Sequence, residues 1–141
     1  MSYKLSQELI AHSQDVKSVA FIDNDTLISG ARDNTAMVWN RSDDGWKVAA
    51  RIQTHDNYVN SVGFLRDERV YSLYSLYSPL LSSSVLVATG SQDTLVNLHQ
   101  LQPFPTEQAI TTPAYTLLGH SANVCAIDAT HDLLATGSWD T

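Results

Sequence analysis

Three times along this chain a histidine, a hydroxyl residue and an aspartate recur as a set: His12, Ser29 and Asp33; His55, Thr89 and Asp93; His120, Thr136 and Asp140. These are the residue types of acyl-transfer hydrolysis, in which a hydroxyl attacks, an imidazole takes its proton and a carboxylate orients the imidazole. Such an enzyme needs one set, with an exposed nucleophile and an oxyanion site beside it. Recurrence in three consecutive copies suits a repeated structural device instead. The chain also has neither a Gly-x-Ser-x-Gly elbow nor a phosphate-cradling glycine loop. The expectation is a non-catalytic chain that uses no cofactor.

Metal chemistry finds no better footing. Five histidines and one cysteine are present. His12, His55 and His120 fall at repeat positions, however, His99 in an expected strand and His131 in an expected turn, and no pair has ligand spacing. No metal is expected. A single cysteine also excludes an internal disulfide framework and fits a reducing cytosol or nucleus.

The elements that must hold the three sets emerge when the chain is laid over itself. HSQDVKSVAF, HDNYVNSVGF and HSANVCAIDA open the copies, with Val16, Val59 and Val124 each four residues after the histidine. LISGARDNT, VATGSQDT and LATGSWDT follow. In each, the hydroxyl residue stands four places before the aspartate, and Gly30, Gly90 or Gly137 stands three before it. Trp39 comes six residues after Asp33. A multi-point match in three copies marks an internal repeat.

VKSVAF, VNSVGF and VCAIDA are short and rich in β-branched residues, which predicts inner strands covered on both faces. Cys125 lies in the last of these, where a buried or channel-facing thiol is the ordinary reading. TLISG, VLVATG and LLATG predict second strands ending at glycine-containing turns. TAMVW and TLVNLH predict third strands, KVAARI and PAYTLL outer ones, and KLSQELI an outer strand ahead of the first copy. No segment has helical periodicity, so the expected class is all-β. The histidine-to-aspartate interval is 21, 38 and 20 residues in the three copies. The long second interval predicts a loop inserted at about residues 66–84, where Pro79 discourages a continuous strand.

Composition narrows the function classes. With 141 residues, 43% hydrophobic and 16% charged, the chain reads as one globular unit. A net charge of −7 argues against nucleic acid, which attracts clustered Lys and Arg. No apolar run approaches the roughly 18–20 residues of a membrane span, and the first residues have no secretion pattern.

A Gly-His-like opening, Ser/Thr-Gly-x-x-Asp and a tryptophan near Trp-Asp spacing resemble the WD-repeat family. The resemblance implies an incomplete WD-repeat β-propeller over residues 1–141, with about three blades and the last unfinished. It further implies a buried chain of hydrogen bonds in each blade, Asp33 to His12 to Ser29 to the Trp39 indole. Departures are visible. Ala11 and Thr54 precede the first two histidines, and only the third has Gly119. Asn40 follows Trp39, and His99 with Gln100 stands in place of Trp-Asp in the second copy, which is expected to be held less tightly. The chain stops at Thr141, before a third strand of its third copy, and is expected to be a fragment or a truncated product.

More narrowly, YKLSQELIAHSQDVKSV, ARDNTAMVW, YTLLGHSANVCAI and TGSWDT resemble the phospholipase A-2-activating protein family. These are ubiquitin-binding cofactors of the valosin-containing AAA ATPase. The resemblance implies that ubiquitin or ubiquitinated proteins dock on the propeller's top face, in the cytoplasm and nucleus. ATPase binding would need domains absent here. Offsets map that face to Asp15, Lys17 and Arg32 from the first copy, Tyr58, Asn60 and Gln92 from the second, and Asn123 and Trp139 from the third. Aromatics and arginine dominate binding hot spots, and an acidic chain complements a basic patch. A WD-repeat adaptor of another assembly, without ubiquitin affinity, would share every repeat feature.

Overall fold

The computed structural model describes residues 2–66, 85–101, 107–130 and 133–140, and no helix occurs among them. In chain order the strands are β1 (Val16–Phe21), β2 (Thr26–Ala31), β3 (Ala36–Ser42), β4 (Gly45–Ile52), β5 (Val59–Arg66), β6 (Val85–Ser91), β7 (Val96–Leu101), β8 (Gln108–Ile110), β9 (Tyr115–Leu117), β10 (Val124–Ala129) and β11 (Leu134–Ser138). They form three sheets, ordered β1-β2-β3-β4-β8, β5-β6-β7-β9 and β10-β11. This is the all-β, unclosed propeller the sequence predicts.

Each sheet begins as an antiparallel meander because short β-branched runs alternate with tight turns. The turn between β2 and β3 places Asn34 at φ 65°, and its counterpart between β6 and β7 places Thr94 at φ 75°. Asparagine adopts this left-handed region readily, whereas a β-branched threonine does so only when the surrounding bonds hold it there.

All three inner strands carry the same irregularity. Register slips between Val16 and Ser18, between Val59 and Ser61, and between Val124 and Ala126. One residue is therefore extra in each: Lys17, Asn60 and Cys125. A bulge of this kind re-aims a side chain.

The core lies between the first and second sheets. Ile28, Val38, Ala50 and Ile52 of the first pack with Val59, Val62 and Val87 of the second. Burying an aliphatic side chain of this size contributes about 1.5–3 kcal/mol. The repeat glycines explain how the sheets come so close. A Cβ on Gly30 would lie 2.8 Å from Val59 and 2.9 Å from Val62, and one on Gly90 would lie 2.7 Å from Val124. Each glycine thus makes room for the next sheet's inner strand.

Three features depart from expectation. The inner strands β1 and β10 are largely exposed instead of covered on both faces, because each ends its own sheet and packs against the second sheet, on its β5 side, with one face only. KLSQELI forms no strand, and Tyr3, Leu5 and Ile10 are exposed. A strand needs a ladder partner for its backbone, and this segment has none among the described residues. Gln7 ties it to β4, its side-chain oxygen accepting from the Trp46 N–H at 3.1 Å while its NH2 donates to the Trp46 carbonyl at 3.4 Å. Strand β8 was not foreseen. It extends the first sheet by parallel pairing of Gln108–Ile110 with Ala50–Ile52, and Arg51 reaches Glu107 at 2.6 Å. Of the insertion expected at about residues 66–84, Arg66 ends β5 and residues 67–84, with Pro79, lie outside the described residues, as do His131 and Thr141.

Candidate protein-interaction face

The first set is assembled from three turns of chain. His12 Nδ1 donates to Asp33 at 2.9 Å, and His12 Nε2 lies 2.8 Å from Ser29 Oγ. The Trp39 indole N–H donates to the same Ser29 oxygen at 2.9 Å. Ser29 therefore accepts from tryptophan and turns its own hydrogen toward the histidine. Asp33 does more than meet His12. It also accepts from the Ser13 N–H at 2.9 Å, the Thr35 N–H at 3.1 Å and the Thr35 hydroxyl at 2.6 Å. Burial pushes the Asp33 carboxyl up, but the bonds from Thr35, Ser13 and His12 outweigh it and hold the group below the usual carboxylate range. Ser29 is buried and already bonded on both sides, so it cannot serve as a solvent-facing nucleophile.

The other sets repeat this geometry. His55 donates to Asp93 at 2.8 Å and meets Thr89 at 2.8 Å. His120 donates to Asp140 at 3.0 Å and meets Thr136 at 2.9 Å. The Ser121 N–H holds the Asp140 carboxyl down, with a smaller contribution from His120, against the opposing effect of burial. Each set staples the loop before an inner strand to the turn after the second strand.

In the second sheet His99 takes the place of Trp39 and lies 3.1 Å from Thr89 Oγ1, with only 1% of its surface exposed. Its Nε2–H donates to that oxygen, and its Nδ1 has no partner among the described residues. Burial, with the neighbouring His55 adding to it, lowers its pKa from 6.5 to about 4, so the ring is neutral at pH 7. Sequence reasoning missed the residues that compensate. The buried Asn97 donates to the Thr54 carbonyl at 3.0 Å and accepts from Thr116 at 2.8 Å. Two polar residues, Asn97 and His99, share one face of this strand, and that alternation was the available signal.

At one end of the sheets a further backbone bond recurs. Arg32 N donates to Asp15 O at 2.9 Å, Gln92 N to Tyr58 O at 3.0 Å, and Trp139 N to Asn123 O at 3.1 Å. These bonds place the offset-mapped residues side by side. Lys17, Arg32, Tyr58, Asn60, Gln92, Asn123 and Trp139, joined by the exposed Cys125, line a depression of about 360 Å3. Asp15 stands at its rim and pairs with Arg32 at 3.1 Å. The Arg32 guanidinium sits 5.7 Å from the centre of the Tyr58 ring, within cation–π range. Asn60 donates to Asn123 at 2.6 Å, joining the second and third sheets. Trp139 is 74% exposed. Among the described residues no cluster of three or more His, Cys, Asp or Glu is placed to hold a metal ion, and no helix is long and apolar enough to cross a membrane.

Comparison with known proteins locates this geometry. The model of the WD domain, G-beta repeat, matches residues 3–40 and 111–141. The chain is 31% identical over 140 residues, 99% of its length, to Protein DOA1 of Saccharomyces cerevisiae. It is 31% identical over 142 residues to Ubiquitin homeostasis protein lub1 of Schizosaccharomyces pombe, again covering 99% of the chain. It spans only 16% and 17% of those relatives' lengths. A solved structure of the WD40 β-propeller domain of Doa1 superimposes with a TM-score of 0.66 at 29% identity, covering 94% of this chain and 37% of that one.

Proposed function

The chain carries WD40 repeats and is homologous to the N-terminal propeller of Doa1 and Lub1, proteins of the phospholipase A-2-activating protein family, and from that premise we propose that it is a non-catalytic scaffold whose top face binds ubiquitin or ubiquitinated proteins. The observation that carries this reading is homology over nearly the whole chain to a protein named for ubiquitin homeostasis. The arrangement of side chains supports it. Exposed Trp139 and Tyr58, with Arg32 held between Asp15 and the Tyr58 ring, are the anchor types that dominate protein interfaces. Asp15, 73% exposed at its side chain, offers a carboxylate to a basic patch. The Ser29 and Thr89 hydroxyls are buried and bonded to their histidines, which suits a structural staple and not an exposed nucleophile. The cytoplasm and nucleus are the proposed compartments.

Titration of isotope-labelled ubiquitin with the protein tests this. The expected result is saturable chemical-shift change on ubiquitin, weakened about tenfold or more by Asp15→Arg and by Trp139→Ala. Undiminished binding by both variants would remove these residues from the site. No saturable binding by the unaltered protein would favour a WD-repeat adaptor of another assembly.

A further inference from the structure

We propose that the depression on this face grips an acidic side chain, Asp or Glu, carried on an extended segment of a partner protein. The proposal rests on reading the face as an interaction surface, though not on ubiquitin being the partner. Its basis is a local inversion of charge. The chain has 15 acidic and 8 basic residues, yet among the described residues the lining of the depression contains Lys17 and Arg32 and no carboxylate.

The backbone delivers that lining deliberately. In each of the three inner strands the bulged residue, Lys17, Asn60 or Cys125, is the one that turns into the depression. Lys17 has no ion partner among the described residues. Arg32 is held by Asp15 on one side and by the Tyr58 ring beneath it, which fixes its guanidinium and lowers the entropy lost when it binds a second carboxylate. The Asn60–Asn123 bond uses the Asn123 oxygen and leaves its NH2 group free to donate.

Two cations and an amide donor around about 360 Å3 suit one carboxylate with its stem. That space is far too small for a folded domain. Tyr58 and Trp139 flank it with exposed ring surface for apolar neighbours of the acidic residue.

The test uses a rhodamine-labelled heptapeptide with one central glutamate between two leucines, its glutamine counterpart, and the protein, read by fluorescence anisotropy. The glutamate peptide is expected to bind at least about tenfold more tightly, with a preference that shrinks as salt rises. Lys17→Met should erase the preference and Lys17→Arg should keep it, with unchanged circular dichroism in both. Equal binding of the two peptides, persistence of the preference in Lys17→Met, or no saturable binding of either peptide overturns the proposal. A parallel titration with ubiquitin separates the two readings. Ubiquitin binding without a glutamate preference sinks this inference alone, whereas loss of both removes the interaction face itself.

Discussion

Gly30→Ala tests the packing that brings the three copies to one face. The new methyl carbon would stand 2.8 Å from Val59 Cγ1 and 2.9 Å from Val62 Cγ1, well inside the roughly 3.5–4.0 Å at which carbon atoms attract. Val59 and Val62 are 1% and 4% exposed, so neither methyl can swing into solvent. Overpacking of this kind costs about 1–3 kcal/mol. Replacing a glycine within a strand returns about 0.5–1 kcal/mol through the unfolded chain. The net expectation is a loss of about 1–2 kcal/mol in urea unfolding followed by tryptophan fluorescence. Val62→Ala removes one of the two obstructing methyls. The double variant should therefore be more stable than the sum of its parts by at least about 1 kcal/mol. At Gly137 the nearest atom, Ala126 Cβ, lies at 3.4 Å, and Gly137→Ala should lose no stability and gain up to about 1 kcal/mol. If Gly30→Ala proves as benign as Gly137→Ala, or if the double variant is strictly additive, the close sheet contact is not what the glycine serves.

Other expectations follow from the same geometry. Asp33→Ala leaves His12, the Ser13 and Thr35 N–H groups and the Thr35 hydroxyl without their acceptor, and should cost about 3 kcal/mol by denaturant titration; a loss below about 1 kcal/mol would contradict the staple. Trp39→Phe removes one donor to Ser29 and should cost about 1 kcal/mol, plus any loss of packing. Acid should weaken the second sheet through His99. Its folded pKa, about 4, lies below its ordinary 6.5, so the unfolded chain takes up the proton first. The stability it contributes is complete above pH 6.5 and is lost as pH falls toward 4. A tenfold change in proton affinity is worth about 1.36 kcal/mol, so this span amounts to about 3 kcal/mol. His99→Phe should flatten the stability profile between pH 7 and 4.5, leaving the steeper loss at lower pH to carboxylates such as Asp33.

Much of this arrangement was legible in the residues because it repeats. The inner strands announced themselves through Val16, Val59 and Val124 at one offset, and the staples through histidine, hydroxyl and aspartate at others. The same offsets carried Arg32, Gln92 and Trp139 to neighbouring places, since each is bonded by its backbone to the residue just ahead of an inner strand. What resisted reading has physical causes. Strand β8 pairs through three residues of backbone, and backbone pairing leaves no pattern of side chains. KLSQELI has the composition of a strand, but composition does not supply a neighbour. The bulges at Lys17, Asn60 and Cys125 depend on register between strands, which no single strand encodes. Net charge sums over the whole surface, and it concealed a depression lined by two cations. The second-copy network through Asn97, Thr54 and Thr116 replaces a tryptophan with several small polar contacts, and neither Asn97 nor Thr116 belongs to the recurring histidine, hydroxyl and aspartate set.

The ring protons of the histidines decide whether the recurring sets are internal staples. Long-range proton–nitrogen correlation on 15N-labelled protein at pH 8 should find His12, His55 and His120 each protonated at Nδ1 and slow to exchange, with His99 protonated at Nε2 instead. Rings that average between tautomers and exchange freely with water would show the three aspartates to be unengaged, and the account would fail at its root.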